Sequence, residues 1–434
     1  MRVAVIGAGV GGLVATWLLS HNHEVVCFEG ENCAGGNARP EVIRIGSSAV
    51  PFQLGPTYFL PKNYSTLFAI FRELDIATER TSMRLSVVTE DGQPSFISPG
   101  LHPLRVSPIM NRKGLENINE LNTLLRRTAA LLSVRDTATT WSSFIREQSV
   151  SEEFLRSVIL PIGSAFFGVP YEKLGGISAS SVLLYMALAL PSLKNGFQIV
   201  RGVTGGTDAW IRKLCKFIPN ETLRLGQIAR GVNIASSSRV IVVHDEGEEA
   251  FDHVVVAAQP WSAAELISDK NLATILRGFP SFESEIAIHM GPLLELDPNV
   301  WSPSTVIAGE DIAQLTTLAN NEFKDGIYRS WVTDGPIRPT NPLYKRTYRH
   351  LLQVPQVTIQ QRKVREESRG GPVHFAGAWT RDVDSHEAAV RSGVEVARQL
   401  GSTHPFLSRT IKTPNPYNFG DPIEYGTKNI ECHR

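Results

Sequence analysis

The chain opens on an unbroken apolar run, Val3 to Ile6, of the kind that forms a strand buried on both faces. Glycines follow at Gly7, Gly9, Gly11 and Gly12, and apolar residues then run from Leu13 to Leu19 as a helix. A second apolar run, Val25 to Phe28, ends on Glu29, which completes a strand–helix–strand unit; the rest of the first sixty or so positions read as irregular. Leu67, Phe68, Ile70, Phe71 and Leu74 recur at helical spacing. Leu121, Leu124, Leu125, Leu131 and Leu132 predict a further helix within 115–135, and helical patterns return at 151–160 and 178–190. From 200 to 258 the pattern changes. Gly205-Gly206 reads as a tight turn before a helix around Trp210 to Cys215, followed by strand patterns at Leu223 to Leu225 and Val240 to Val243. Val254 to Ala258 is a second parallel-type run, and 284–288, 304–307 and 328–332 read as short strands.

These elements predict an α/β fold in which one dinucleotide-binding domain is assembled from separated pieces, 1–60, 199–267 and 370–402. The stretches 61–198 and 268–369 form a mixed sheet-and-helix substrate domain, and 403–434 is a proline-containing tail. A chain of 434 residues is long enough for two cores. Lys+Arg and Asp+Glu both number 43, so there is no basic excess of the kind that would recruit nucleic acid. Cys27, Cys33, Cys215 and Cys432 form no metal or disulfide spacing, which suits a reduced compartment. Val182 to Leu190 is too short to span a bilayer, and the first strand begins almost at Met1 with no room for a signal segment. The cytoplasm is the expected location.

Gly7, Gly9 and Gly12 stand in G-x-G-x-x-G spacing between a strand and a helix. That arrangement allows a tight turn, backbone approach to a pyrophosphate, and close helix–strand packing, with the helix N-terminus facing the phosphate charge. Glu29 closes the second strand, where a carboxylate accepts ribose hydroxyls and repels a 2′-phosphate, disfavouring NADP. NAD and FAD both remain open at this point. Near the other end, His374-Phe375-Ala376-Gly377-Ala378-Trp379 runs on to His386-Glu387-Ala388-Ala389-Val390-Arg391-Ser392-Gly393. Taken together, the two ends narrow the cofactor to FAD.

With Gly35-Gly36-Asn37-Ala38-Arg39, Leu54-Gly55-Pro56-Thr57-Tyr58, Met83-Arg84-Leu85-Ser86-Val87 and Leu160-Pro161-Ile162-Gly163-Ser164-Ala165, the chain resembles the FAD-dependent amine-oxidase-like superfamily. The resemblance is closest to the NAD/FAD-binding proteins associated with cyclopropane-fatty-acid synthases. It implies that Gly36, Asn37 and Arg39 follow the pyrophosphate, with Arg39 substituting for an arginine usual at position 37. It places Gly55, Pro56, Thr57 and Tyr58 near the isoalloxazine edge, and the backbone of Ile228 at adenine. Gly377 and Ala378 then lie against ribityl and pyrophosphate, with Trp379 close to the ring. Glu387, Ala388 and Ala389 open a helix beneath the flavin pyrimidine, where free N–H groups favour the negative charge of reduced flavin. No cysteine flanks this motif, which implies non-covalent FAD, and no metal is implied.

The catalytic residues stay open. Tyr58 reads equally as a site wall or a packed aromatic. His386 reads as a charged helper at the helix start or as a surface histidine. His289 reads as a satisfied core or interface histidine ahead of a catalytic base. Trp379 is a further candidate, whereas Trp210, Trp261 and Trp301 read as core. Phe279 to Val300 lacks the lysine that amine oxidases commonly place near the flavin, which weakens amine oxidation as the activity. The leading expectation is an oxidase- or desaturase-type enzyme taking hydride from a small organic or lipid-like substrate to flavin N5. Alternatives are a redox-neutral double-bond isomerase and a non-catalytic FAD-binding subunit of a partner enzyme. A homodimer also fits.

Overall fold

The computed structural model describes residues 1–61, 63–81, 84–97, 116–117, 119–121, 123–124, 137–189, 200–320, 325–381 and 383–410. Met83, Leu125, Leu131, Leu132, Leu190, Cys432 and the tail beyond 410 lie outside them. The opening run forms the strand Arg2–Ile6, at the centre of a five-stranded sheet. From edge to edge that sheet is Val373–Phe375, His253–Val256, Arg2–Ile6, Glu24–Glu29 and Leu223–Leu225, with every pairing parallel. Val3, Ala4, Val5, Val254, Val255 and Val256 are completely buried. Both faces of the sheet are covered, which is why these runs are continuously apolar rather than alternating.

On one face pack the opening helix Val10–Leu19 and, against it, the closing helix His386–Gln399. The other face is covered by an antiparallel sheet of Ala229–Ser236, Arg239–His244 and Gly247–Phe251 and by helices Pro260–Leu266, Lys270–Arg277 and Pro355–Glu367. A second, seven-stranded sheet runs Tyr344–Leu351, Ser281–Met290, Ile327–Trp331, Ala313–Asn320, Ser304–Ala308, Leu85–Thr89 and Pro94–Ile97. Its pairings are antiparallel except that of Ser304–Ala308 with Leu85–Thr89. Helices Trp141–Arg146, Leu160–Phe167, Tyr171–Gly175 and Ala179–Ala189 pack with it in one apolar cluster.

Several elements differ from the sequence expectation. The region after Glu29 is not irregular throughout, because Pro40–Ile45 and Ser48–Gln53 form a hairpin. Its Ile43 and Phe52 reach, with Leu54, onto Ile286, Ile288 and Ile327 of the large sheet. Pro51 and the exposed Val42 hide this hairpin from a hydrophobicity pattern. The expected helix at 151–160 is Glu152–Phe154 followed by a π-helical turn over Leu155–Ile159. Pro161 has no N–H to return to the preceding turn, and the chain widens just ahead of it.

Candidate FAD and substrate site

The opening helix has Gly9 at its N-cap and no side-chain cap, so its first-turn N–H groups face whatever lies ahead of it. A Cβ on Gly12 would lie 1.9 Å from the Gly7 carbonyl oxygen, so no side chain fits where helix and strand cross. One on Gly11 would lie 3.0 Å from the Gly377 nitrogen, 3.1 Å from Ser392 Oγ and 3.2 Å from the Ala389 carbonyl. One on Gly393 would lie 2.4 Å from the Gly11 carbonyl. The glycine-rich start and the closing motif are therefore in direct contact, as their joint reading requires. In front of Gly9, by contrast, a Cβ would meet nothing within 4 Å, and one on Gly36 would stand 3.1 Å from the Gly9 Cα. This open, side-chain-free cradle at a helix N-terminus fits a pyrophosphate.

Glu29 lies at the same end of the sheet. Its Oε2 accepts the Ala8 N–H at 2.7 Å and its Oε1 accepts the Glu31 N–H at 3.0 Å. Each oxygen keeps a lone pair for a ribose hydroxyl. Ile228 sits beside the end of that strand, its Cγ1 3.1 Å from where a Gly30 Cβ would be. Its N–H donates to the Asp245 carboxylate at 3.2 Å and its carbonyl accepts the Asp245 N–H at 3.3 Å. Arg39 is half-buried beside Glu31 and Cys33. Its Nη1 donates to Glu31 at 3.2 Å and to Cys33 Sγ at 3.2 Å, so its charge is already paired. Asn37 is exposed, and a Cβ on Gly55 would stand 2.1 Å from its carbonyl, which locks the 35–39 segment across the 53–57 segment.

The 53–57 segment is clamped from two sides. Arg329, on the strand Ile327–Trp331, donates to the carbonyls of Gln53 at 2.8 Å and Gly55 at 2.9 Å and to Thr57 Oγ1 at 3.3 Å. The Thr207 hydroxyl donates to the Pro56 carbonyl at 2.7 Å, and Phe59 pairs with Arg201 through both backbone groups at 2.9 Å. Burial lowers the Arg329 pKa, while the nearby Tyr58 and Tyr348 oppose that shift. Tyr58 is half-buried near this guanidinium. Sequence reading missed Arg329. Its only signal was one cation within an otherwise strand-like Ile327-Tyr328-Arg329-Ser330-Trp331.

The closing motif is tied together by its own hydrogen bonds. Gly377 donates its N–H to Ser392 Oγ at 2.8 Å, and that hydroxyl donates to the Ala389 carbonyl at 2.6 Å. Ser385 is the N-cap of the closing helix: its side chain accepts the Ala388 N–H at 3.1 Å and its carbonyl accepts the Ala389 N–H at 3.0 Å. The N–H groups of Ala388 and Ala389 thus both meet Ser385 at the helix start. Glu387 is buried and turns back to accept the N–H groups of Thr66 at 2.8 Å and Leu67 at 3.0 Å, capping the helix Ser65–Glu73; its pKa is raised by burial. His386 is neither charged nor on the surface. It is buried between Phe59 and Trp210, its ring 5.4 Å from each, and burial pushes its pKa down to about 3. Its Nε2 has no hydrogen-bond partner among the described residues.

Trp379 is buried within the closing motif. It is core, with its indole N–H on the Ala258 carbonyl at 2.9 Å and its ring against Phe279 and Phe375. Trp210 is also core, as expected. His289 is a satisfied core histidine: its Nε2 meets the Ser330 hydroxyl at 2.8 Å, that hydroxyl donates to Thr316 at 2.7 Å, and the ring stacks on Tyr328.

A cavity of about 90 Å³ lies between the large sheet and the residues just ahead of the closing helix. Phe166, Phe167, Tyr185, Phe282, Trp331 and His350 give it aromatic walls. Ser284, Gln353 and Asp384 are its polar members. Asp384 is half-buried in the cavity lining, and burial raises its pKa to about 6. Burial also pushes Tyr185 up to about 12, aided by Asp384, and His350 down to about 4.

A parallel sheet with a glycine cradle beside its central strand and an acid at the end of the next has the layout of the dinucleotide-binding α/β class. The chain belongs to the family of flavin-containing amine oxidoreductases, which it matches over residues 10–294. It is an FAD-dependent oxidoreductase. A putrescine oxidase double mutant has the same fold, with a TM-score of 0.66 and 16% identity over 92% of this chain and 99% of that one. A fatty acid isomerase from P. acnes gives 0.64 and 13% over 92% and 98%, and cyclohexylamine oxidase from Brevibacterium oxydans gives 0.61 and 15% over 92% and 99%. Tryptophan 2-monooxygenase of Allorhizobium ampelinum is 33% identical over 103 residues, which span 23% of this chain and 13% of that protein's length. Among the described residues, no helix is long and apolar enough to cross a membrane.

Proposed function

We propose that the chain oxidises a small organic or lipid-like substrate bound in the aromatic cavity, with hydride leaving a substrate carbon. The carrying observation is that Val383 and Asp384 line this cavity and immediately precede Ser385, the cap of the helix whose Ala389 and Ser392 touch the glycine cradle. Bound FAD supplies the two-electron acceptor at N5, and the chain supplies position and surroundings. In this reading Gly7, Gly9, Gly11, Gly12, Gly36, Gly377 and Ala378 hold the pyrophosphate and ribityl side, Glu29 holds the ribose, and Gly55, Pro56, Thr57 and Tyr58 border the ring, kept in place by Arg329. The aromatic walls exclude water from the reacting carbon.

The same reading assigns 1–60, 199–267 and 370–402 to FAD and 61–198 and 268–369 to substrate. It places the chain nearest the proteins associated with cyclopropane-fatty-acid synthases, on the quoted motifs, and in the cytoplasm, on the free Cys27, Cys33 and Cys215. The test is anaerobic mixing of the FAD-loaded protein with panels of amines and fatty acids. Bleaching of the flavin, reversed by air, is the expected result. Product formation without net bleaching marks an isomerase, and absence of either marks a non-catalytic subunit.

A further inference from the structure

Arg329 stands on the strand Ile327–Trp331, two positions before Trp331 and so on the same face of the large sheet. Trp331 lines the aromatic cavity, and Tyr348, opposite Ser284 on the edge strand, continues that face with its ring edge-on to Trp331. The guanidinium therefore joins the cavity's sheet face to the 53–57 segment, read above as the border of the ring. Its hydrogen bonds go to neutral oxygens throughout, the carbonyls of Gln53 and Gly55 and the hydroxyl of Thr57. The ionisable side chains that act on it are two tyrosines, Tyr58 and Tyr348, and a phenol is neutral at physiological pH. Among the described residues no carboxylate pairs with it. Acids on the flanking elements have cations of their own: Asp208 accepts from Gln53 Nε2 at 2.7 Å and pairs with Arg212, and Glu41 pairs with Arg346. The other basic groups of the site are paired or neutral. Arg39 meets Glu31, Arg381 meets Glu395, and burial pushes the pKa of His386 down to about 3 and that of His350 down to about 4. Arg329 is half-buried, and a cation partly removed from water and bonded only to neutral oxygens is destabilising until an anion comes beside it.

We propose that Arg329 is the electrostatic partner of the reduced flavin, its guanidinium held against the ring-bordering segment so that it favours the negative charge that hydride transfer creates. The proposal rests on the reading of 53–57 as the border of the ring, and it adds a charge to what was so far only a clamp. Hydride transfer breaks a substrate C–H bond and forms N5–H, and both electrons of the broken bond travel with the hydrogen. The ring thereby gains one negative charge, shared by N1 and the C2 carbonyl, and takes up no second proton. A fixed cation stabilises this charged form over the neutral oxidised ring, which raises the reduction potential and opposes protonation at N1. A clamp without charge would hold oxidised and reduced FAD equally well and leave the potential where it was.

The test is a reductive titration of the FAD-loaded protein against a reference dye, without substrate, between pH 5 and 8. Wild type, Arg329→Gln and Arg329→Lys are compared, with the affinity for oxidised FAD measured alongside. Glutamine keeps an amide donor for the clamp and removes the charge, whereas lysine keeps the charge and loses the planar fork. In Arg329→Gln the affinity for reduced FAD should fall about ten- to a hundredfold further than that for oxidised FAD, the range of a charge-assisted contact. For a two-electron couple this lowers the potential by about 30–60 mV. Arg329→Lys should lie closer to wild type than to Arg329→Gln. The wild-type potential should fall by about 30 mV per pH unit throughout, one proton for two electrons, and that of Arg329→Gln should steepen to about 60 mV at the acid end, two protons. A wild-type slope of about 60 mV per pH unit over the whole range means a neutral reduced ring and overturns the proposal without any variant. An unchanged potential in FAD-loaded Arg329→Gln overturns it as well and leaves Arg329 a clamp, as does a shift in Arg329→Lys equal to that in Arg329→Gln. Because the titration contains no substrate, a flavin that responds as expected in a protein that oxidises none of the amines or fatty acids would keep this proposal while the oxidative reading falls.

Discussion

Asp384 should cost the protein stability, and the cost can be measured. Burial raises its pKa from 3.8 to about 6, so ionising it in the fold is unfavourable relative to the unfolded chain. A shift of about two units corresponds to about 3 kcal/mol, and relaxation of the cavity reduces this to an expected 1–3 kcal/mol, roughly. For a carboxyl with a raised pKa, the unfolded chain loses the proton first as pH rises. The wild-type protein is therefore penalised progressively from pH near 3.8 to near 6, and fully above that. Asp384→Asn removes the titration and keeps the shape. In substrate-free, FAD-saturated protein the variant should melt a few degrees higher than wild type at pH 7.5, with the advantage shrinking as pH falls toward 4. Parallel thermal melts over that range are the assay. A variant that is less stable at every pH, or more stable by a constant amount, would refute the claim that Asp384 sits ionised in the cavity lining without a compensating cation.

What the sequence revealed here was the backbone of the cofactor site. Val3 to Ile6, the glycine spacing and Glu29 are local patterns whose physical cause lies within one strand–helix–strand unit, and the fold around them follows. The contact of Gly11 with Gly377, Ala389 and Ser392 was also legible, because both partners carry small residues where backbones must meet. Side-chain destinations were not. Ser385 caps the closing helix, and Glu387 accepts from the Ser65–Glu73 helix, far away in sequence, and no local pattern announces either contact. Arg39 offered a cation near phosphate, but Glu31 is close enough to take it. The strand Tyr344–Leu351 is rich in charged and aromatic residues and poor in aliphatic ones, so hydrophobicity alone passes over it and over the His350 wall of the cavity. The aromatic cavity itself joins residues from 166 to 384 and has no local signature at all.

Glu29→Ala should weaken FAD retention by about ten- to a hundredfold, the loss of about 1.5–3 kcal/mol of charge-assisted hydrogen bonding, while the apoprotein still folds; an unchanged affinity in a cofactor titration would remove Glu29 as the ribose acid. Arg329→Met should release the 53–57 segment, which loses donors at Gln53, Gly55 and Thr57. FAD affinity should fall by at least about tenfold and the visible flavin spectrum should shift, and a variant matching wild type in both would show that the clamp is not needed. His386→Leu tests whether the histidine at the start of the closing helix acts through charge. Its ring is wedged between Phe59 and Trp210, its Nε2 is unpartnered among the described residues, and burial holds its pKa at about 3. A histidine neutral at every working pH contributes no inflection to flavin reduction or turnover between pH 5 and 8. An unpaired buried nitrogen costs about 1–3 kcal/mol, so an aliphatic side chain of similar size should hold or raise the melting temperature. The pH profile of flavin reduction should superimpose on that of the wild type. Loss of an inflection near neutral pH in a stable, FAD-loaded His386→Leu protein would mean that the ring is charged in the working enzyme, and that cofactor binding changes its surroundings.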